Sequence, residues 1–152
     1  MRHRAVGLIL LAGLLPVLGC GGGAGSGGGT AATTAAPATS QYDSGPRAFE
    51  APINAALATK GEELFKSKTC STCHGFGVRV TGPDLKGVTH RRTVQWMTQQ
   101  ILHPDVMTKE DPIAKQLLGT YLVQMPKLPI APEEVEALIE FLKKKDADLG
   151  AQ

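Results

Sequence analysis

Cys70-Ser71-Thr72-Cys73-His74 carries the densest chemistry of this 152-residue chain. Two thiols three positions apart lie on one helical turn and an imidazole follows the second directly, which is the C-x-x-C-H spacing of a c-type haem attachment site. Each thiol can add across one vinyl group of the porphyrin, and His74 is then delivered to the iron as an axial ligand. A C-x-x-C pair has two competing uses, a dithiol redox couple and half of a zinc site. Zinc requires four ligands, normally from a second pair, and His90 and His103 are not spaced to supply one. A thioredoxin-like dithiol needs a βαβ setting, whereas the pattern flanking Cys70 is helical.

Working outward, Ala55 to Ser67 places Leu57, Gly61, Leu64 and Phe65 on one helical face, with Glu62 and Lys66 as an i,i+4 pair on the other. Thr93 to Leu102 and Ile113 to Leu122 are two further predicted helices, and Trp96, Ile101, Ile113, Leu117 and Leu118 are their core candidates. The last helix opens on Pro132, Glu133 and Glu134 and closes on Lys143, Lys144 and Lys145, so charge complements the dipole at both ends. Its apolar stripe is Val135, Leu138, Ile139, Phe141 and Leu142. Aromatic residues make up only 5% of the chain, so a porphyrin has to supply a large part of the core. Phe76, Leu85, Trp96 and Leu128 are expected to pack against it.

From about Ala51 to Asp146 the chain resembles the class I cytochromes c. The resemblance rests on a first helix ending near C-x-x-C-H, a Thr81-Gly82-Pro83-Asp84-Leu85 segment of G-P-x-L type, a methionine beside a proline at Met125-Pro126, and a closing amphipathic helix. It implies an all-α fold in which the N- and C-terminal helices cross around one covalent haem c, a domain over 51–147 and a short tail over 148–152. It also implies that Gly61 and Phe65 form the crossing point, that the Pro83 carbonyl accepts the free N–H of His74 and aims the ring, and that Met125 closes the sixth position. Met97 lies within a helix and reads as a core filler. Met107 falls in the polar run Pro104 to Pro112 and reads as a loop residue. Bis-histidine ligation through His90 is the alternative to Met125. Of Arg91 and Arg92, one can clamp a haem propionate, with Trp96 assisting, or the pair can simply be solvated.

The N-terminal third reads as address and tether. Arg2, His3 and Arg4 precede an uncharged run from Ala5 to Leu18, the order of a secretory signal, and the run is short of the roughly 20 residues a transmembrane helix needs. Val17-Leu18-Gly19-Cys20 resembles the lipobox of bacterial lipoproteins, which implies cleavage of residues 1–19 and lipid on Cys20, two or three acyl chains being enough for stable anchoring. A plain signal peptide with an incidental Cys20 is the alternative. Residues 21–40 lack charges, aromatics and large apolar side chains, so 20–50 is expected to be a lipidated cysteine and a flexible tether with a reach of roughly 25 to 30 Å, Gln41 to Glu50 forming a transition.

Formal charge is +2, and removing Arg2 and Arg4 leaves 14 basic against 14 acidic residues. That balance lacks the basic excess of a nucleic-acid binder. With iron held from both sides, the expectation is an extracytoplasmic, membrane-tethered carrier of single electrons between respiratory-chain donors and a terminal reductase or oxidase, docking redox partners through local patches such as Lys66, Lys68 and Lys86. The competing readings are a haem enzyme or gas sensor with an open iron, in which His90 or His103 serves as a base toward peroxide, nitric oxide or oxygen, and a subunit that only lends its haem to a larger oxidase.

Overall fold

The computed structural model describes residues 38–152, and all regular structure within that range is helical, without strands. The expected signal segment, Cys20 and the expected tether up to residue 37 lie outside the described residues. Six α-helices follow in order: α1 (Ala55–Ser67), α2 (Val88–Arg91), α3 (Val94–Leu102), α4 (Pro104–Glu110), α5 (Pro112–Tyr121) and α6 (Pro132–Asp148). Short 3-10 turns occupy Ala48–Glu50 and Cys70–Thr72. Among the described residues no helix is long and apolar enough to cross a membrane.

The pairing of α1 with α6 is the frame. Asn54 caps α1 by accepting the Leu57 N–H at 3.1 Å, and the helix buries Ala58, Gly61 and Phe65. Gly61 permits the crossing. A Cβ there would run into the carbonyl of Ala137 and stand 2.8 Å from Cβ of Phe141, so only a hydrogen lets the two backbones approach this closely. Phe65 and Phe141 then meet at 5.2 Å between ring centroids, and Phe76 closes the cluster at 5.6 and 5.9 Å, separations at which tilted and edge-on aromatic pairs attract.

Helix α6 runs past Lys145 to Asp148, and Lys143 is not one of its solvated terminal cations. Only 1% of Lys143 is exposed, and its ammonium donates to the Pro52 carbonyl at 2.7 Å and to Glu140 at 2.8 Å. Glu140 in turn accepts the Asn54 N–H, so the start of α1 is bolted to α6 by a satisfied buried charge. Three residues further along α6 the carboxylate of Asp146, fully buried, accepts from the backbone N–H groups of Gly87 (2.6 Å) and Thr89 (3.0 Å) and from the Thr89 hydroxyl (2.6 Å). These bonds hold the first turn of α2 after the left-handed Gly87. Asp146→Ala leaves three buried donors without an acceptor and is expected to lower stability by roughly 2 to 3 kcal/mol, read as a drop in the urea midpoint, with Asp146→Asn falling less. A midpoint that does not move would show that α2 is held by other contacts.

Two expectations are corrected here. Met107 is not a loop residue, because Pro104 and Pro112 each occupy the first turn of a helix and Met107 is 2% exposed on the inner side of α4. The packed unit also begins before residue 51. The Asp43 carboxylate accepts the Thr93 N–H at 2.8 Å and pairs with Arg47 and Arg92, each at 3.2 Å. Thr93 donates its hydroxyl to the Tyr42 carbonyl, and Ala48 is 1% exposed within the core. Residues 40–50 are therefore part of the fold rather than of the tether.

Candidate haem site

The attachment turn is preset by backbone alone. Thr69, two residues beyond α1, stands in the left-handed region at φ 59°, and the N–H groups of Cys73 and His74 both donate to the Cys70 carbonyl, at 3.2 and 3.0 Å. This curls both thiols and the imidazole around one turn. Both cysteines are free and half-buried. Burial pushes the Cys70 thiol above its usual range, the opposite of the depressed value on which a reactive dithiol couple depends. Nor do the described residues gather three or more His, Cys, Asp or Glu side chains at metal-binding distance, so the zinc alternative lacks a ligand set.

Opposite this turn, the segment after Thr81 folds back onto it. The Gly82 N–H donates to the Cys73 carbonyl at 2.8 Å, and a Cβ on Gly82 would stand 3.0 Å from Cε1 of His74. That close approach brings the Pro83 carbonyl to 2.9 Å from Nδ1 of His74. A carbonyl can only accept, so Nδ1 carries the hydrogen and Nε2 keeps its lone pair free for a metal.

His74 and Pro83 belong to the wall of a cavity whose other sides are Leu85, Trp96 and Met97, Ile101, Leu117 and Leu118, Leu138 and Leu142, and Met125. An adjoining opening exposes Cys70, Cys73, Met125, Pro126 and Leu128. The residues fit a haem: an apolar slot has a free imidazole nitrogen and a thioether on its walls, two thiols at its edge, and guanidinium groups of Arg91 and Arg92 at its rim. The two arginines differ. Arg92 is spent on Asp43 and on the Arg91 carbonyl and lies over the Trp96 ring at 5.1 Å. Among the described residues Arg91 donates only to the Lys86 carbonyl at 2.7 Å and the Asp84 carbonyl at 3.4 Å, and most of its five donors remain for a propionate. Trp96 does not assist, since its indole N–H donates to Asp111 at 3.1 Å.

Other sequence-based assignments shift. Phe76 faces Phe65 and Phe141 rather than the cavity. His90 stacks on Phe49 at 3.8 Å and His103 is exposed between α3 and α4; neither lines the cavity, so among the described residues His74 is the histidine on its wall and the His90 alternative to Met125 is not placed there. Lys66 is engaged by Glu62, and Lys68 by the Pro129 carbonyl and Glu134, so two of the three proposed docking lysines are already in use. Gln100, Thr108, Tyr121 and Val123 also line the cavity and were missed. For Gln100 the signal was present, since it follows Trp96 by one helical turn on α3.

The crossed helices, the preset thiol turn and the apolar slot define a small all-helical c-type haem protein. A family model described as cytochrome c matches residues 58–146, and the chain belongs to that family. It is 33% identical over 90 residues to cytochrome c-551 of Stutzerimonas stutzeri, covering 57% of this chain and 78% of that one. Among solved structures it is similar to a cytochrome c from Rhodothermus marinus, with TM-score 0.62 and 34% identity over 64% of this chain and 83% of that one. A cytochrome c domain from Pseudomonas putida gives TM-score 0.52 and 35% identity over 59% of this chain and 91% of that domain. The protein is thus a cytochrome c with one covalently bound haem c, and its relatives support an electron carrier that works with redox partners.

Proposed function

We propose that this cytochrome is a lipid-anchored, extracytoplasmic carrier that passes single electrons between respiratory-chain donors and a terminal reductase or oxidase. The observation that carries the electron-transfer reading is the His74 Nδ1 bond to Pro83, which leaves Nε2 free on the wall of the cavity that Met125 also lines. Cys70 and Cys73 would form the thioethers, and His74 and Met125 would hold the iron. When bound, the haem supplies a one-electron couple. The chain keeps both ligands on stiff supports, His74 on its preset turn and Met125 on an extended segment held between Pro126 and Pro129 and the end of α5, so little has to move when the charge changes. Arg91 would bind a propionate with its remaining donors.

The exit for the electron is apolar rather than basic. Leu122 is left-handed at φ 57° and 83% exposed, an unfavourable conformation for a leucine that turns its side chain to water beside the cavity wall formed by Tyr121 and Val123. Arg79 lies 4.5 Å over the Tyr121 ring and brings the exposed Val78 and Val80 to the same rim. A partner with its own apolar redox edge fits this surface.

The anchor is tested by Cys20→Ser. Wild-type protein is expected in the membrane fraction carrying acyl chains detectable by mass spectrometry, whereas Cys20→Ser is expected to be released in soluble form with its haem intact. A wild-type protein whose Cys20 carries no acyl chains by mass spectrometry would contradict lipid on Cys20.

A further inference from the structure

The cavity wall contributed by α3 is apolar except at Gln100. A primary amide in such a wall is unfavourable unless both halves are bonded. Gln100 has one bond: its Nε2 donates to Sδ of Met125 at 3.8 Å, a distance within reach of a sulfur acceptor. Its Oε1 is buried without a partner. Among the described residues the sulfur is thus the hydrogen-bond partner of the amide. Turned the other way, it would set two electron-rich atoms, oxygen and sulfur, against each other, so the N–H must point at Met125.

A thioether sulfur has two lone pairs. If one binds iron, the other is open to a donor, and Gln100 sits in the cavity wall at hydrogen-bonding distance from that sulfur. We propose that Gln100 is a positioning residue that hydrogen-bonds the second lone pair of Met125, fixes which pair faces the iron, and raises the reduction potential. The inference rests on Met125 being the distal ligand. A hydrogen bond draws electron density from sulfur and weakens its donation. The ferric state needs that donation more than the ferrous state, so the bond favours reduction. The donor comes from a different helix than the ligand, which also ties the extended Met125 segment to α3 and resists its dissociation.

The sign makes the test decisive. Gln100→Leu removes the bond and makes the wall more apolar. A more apolar wall alone disfavours the ferric charge and raises the potential, whereas loss of the bond lowers it. Spectroelectrochemical titration of the haem-loaded protein is expected to give a lower potential for Gln100→Leu, with a displaced sulfur-to-ferric-iron band and an unchanged low-spin spectrum. Gln100→Asn, which keeps the amide but retracts it by one methylene, is expected to fall in the same direction. A potential that stays or rises in Gln100→Leu, or a Gln100→Asn variant that keeps the wild-type potential, would overturn the proposal. Met125→Ala run in parallel separates the two readings. If it retains the sulfur-to-iron band, Met125 is not the ligand. If it loses the band while Gln100→Leu behaves as wild type, the ligand stands and the role of Gln100 falls.

Discussion

Replacing Cys70 and Cys73 together by alanine is expected to give a chain that holds no covalent haem and loses most of its helical signal. The reason is in the core. Trp96, Leu138 and Leu142 are buried residues that turn part of their surface to the haem cavity, so the group is itself core material in a chain with 5% aromatics. Unfilled, such a space forfeits contacts at the scale of several large-to-small substitutions, each of which costs about 2 to 5 kcal/mol, against a total stability of about 5 to 15 kcal/mol. His74→Ala should keep its thioethers but lose the low-spin spectrum. Far-ultraviolet circular dichroism and the pyridine haemochrome band check the double variant, and the haemochrome band together with the visible spectrum taken without pyridine checks His74→Ala. A double cysteine variant as helical as the wild type would mean that the helices pack without the haem.

The second large effect is expected at Gly61. In most exposed helix interiors, exchanging glycine for leucine gains nearly 1 kcal/mol of helix propensity. At Gly61 the added carbons meet the Ala137 carbonyl and the Phe141 Cβ, and neither atom can rotate away because one is backbone and the other is the root of a packed ring. Overpacking of this kind outweighs the propensity gain, and Gly61→Leu is expected to lose roughly 3 kcal/mol or more, with Gly61→Ala intermediate. The guanidinium midpoint of the haem-loaded protein gives the value. A more stable Gly61→Ala would show the glycine to be a mere helix defect and the crossing to be looser than described.

What could be read from residues alone follows from how local the cause is. Helix α1 was legible from end to end because its stripe and its i,i+4 pair are neighbours in sequence, and the Asn54 cap that the structure adds is equally local. The thiol turn was equally local. Helix α4 was hidden because Pro104 and Pro112 look like breaks in a polar run, although each opens a helix, where a missing N–H does no harm. Residues 40–50 show no periodicity at all. Their order comes from Asp43 reaching Arg92 and Thr93 some 49 and 50 positions away, and the same ion pair decides that Arg91 rather than Arg92 is free for a propionate. The amide of Gln100 finds Met125 across 25 positions, a contact that only the folded chain brings about. The Lys68 to Glu134 pair is of the same long-range kind. It joins the Ala131 N–H in holding the Glu134 carboxyl below the usual carboxylate range, so the stabilisation it gives is present at neutral pH and is lost in acid as pH falls through that lowered value.

The visible and near-infrared spectrum of the matured protein, oxidised and then reduced under carbon monoxide, tests the central claim that His74 and Met125 close the iron to everything but electrons. The account predicts a sulfur-to-ferric-iron band that is present in the wild type and absent in Met125→Ala, with carbon monoxide binding only to the variant. A high-spin wild-type spectrum that changes at once under carbon monoxide would mean an open iron, and the protein would then be a ligand-binding haem protein rather than an electron carrier.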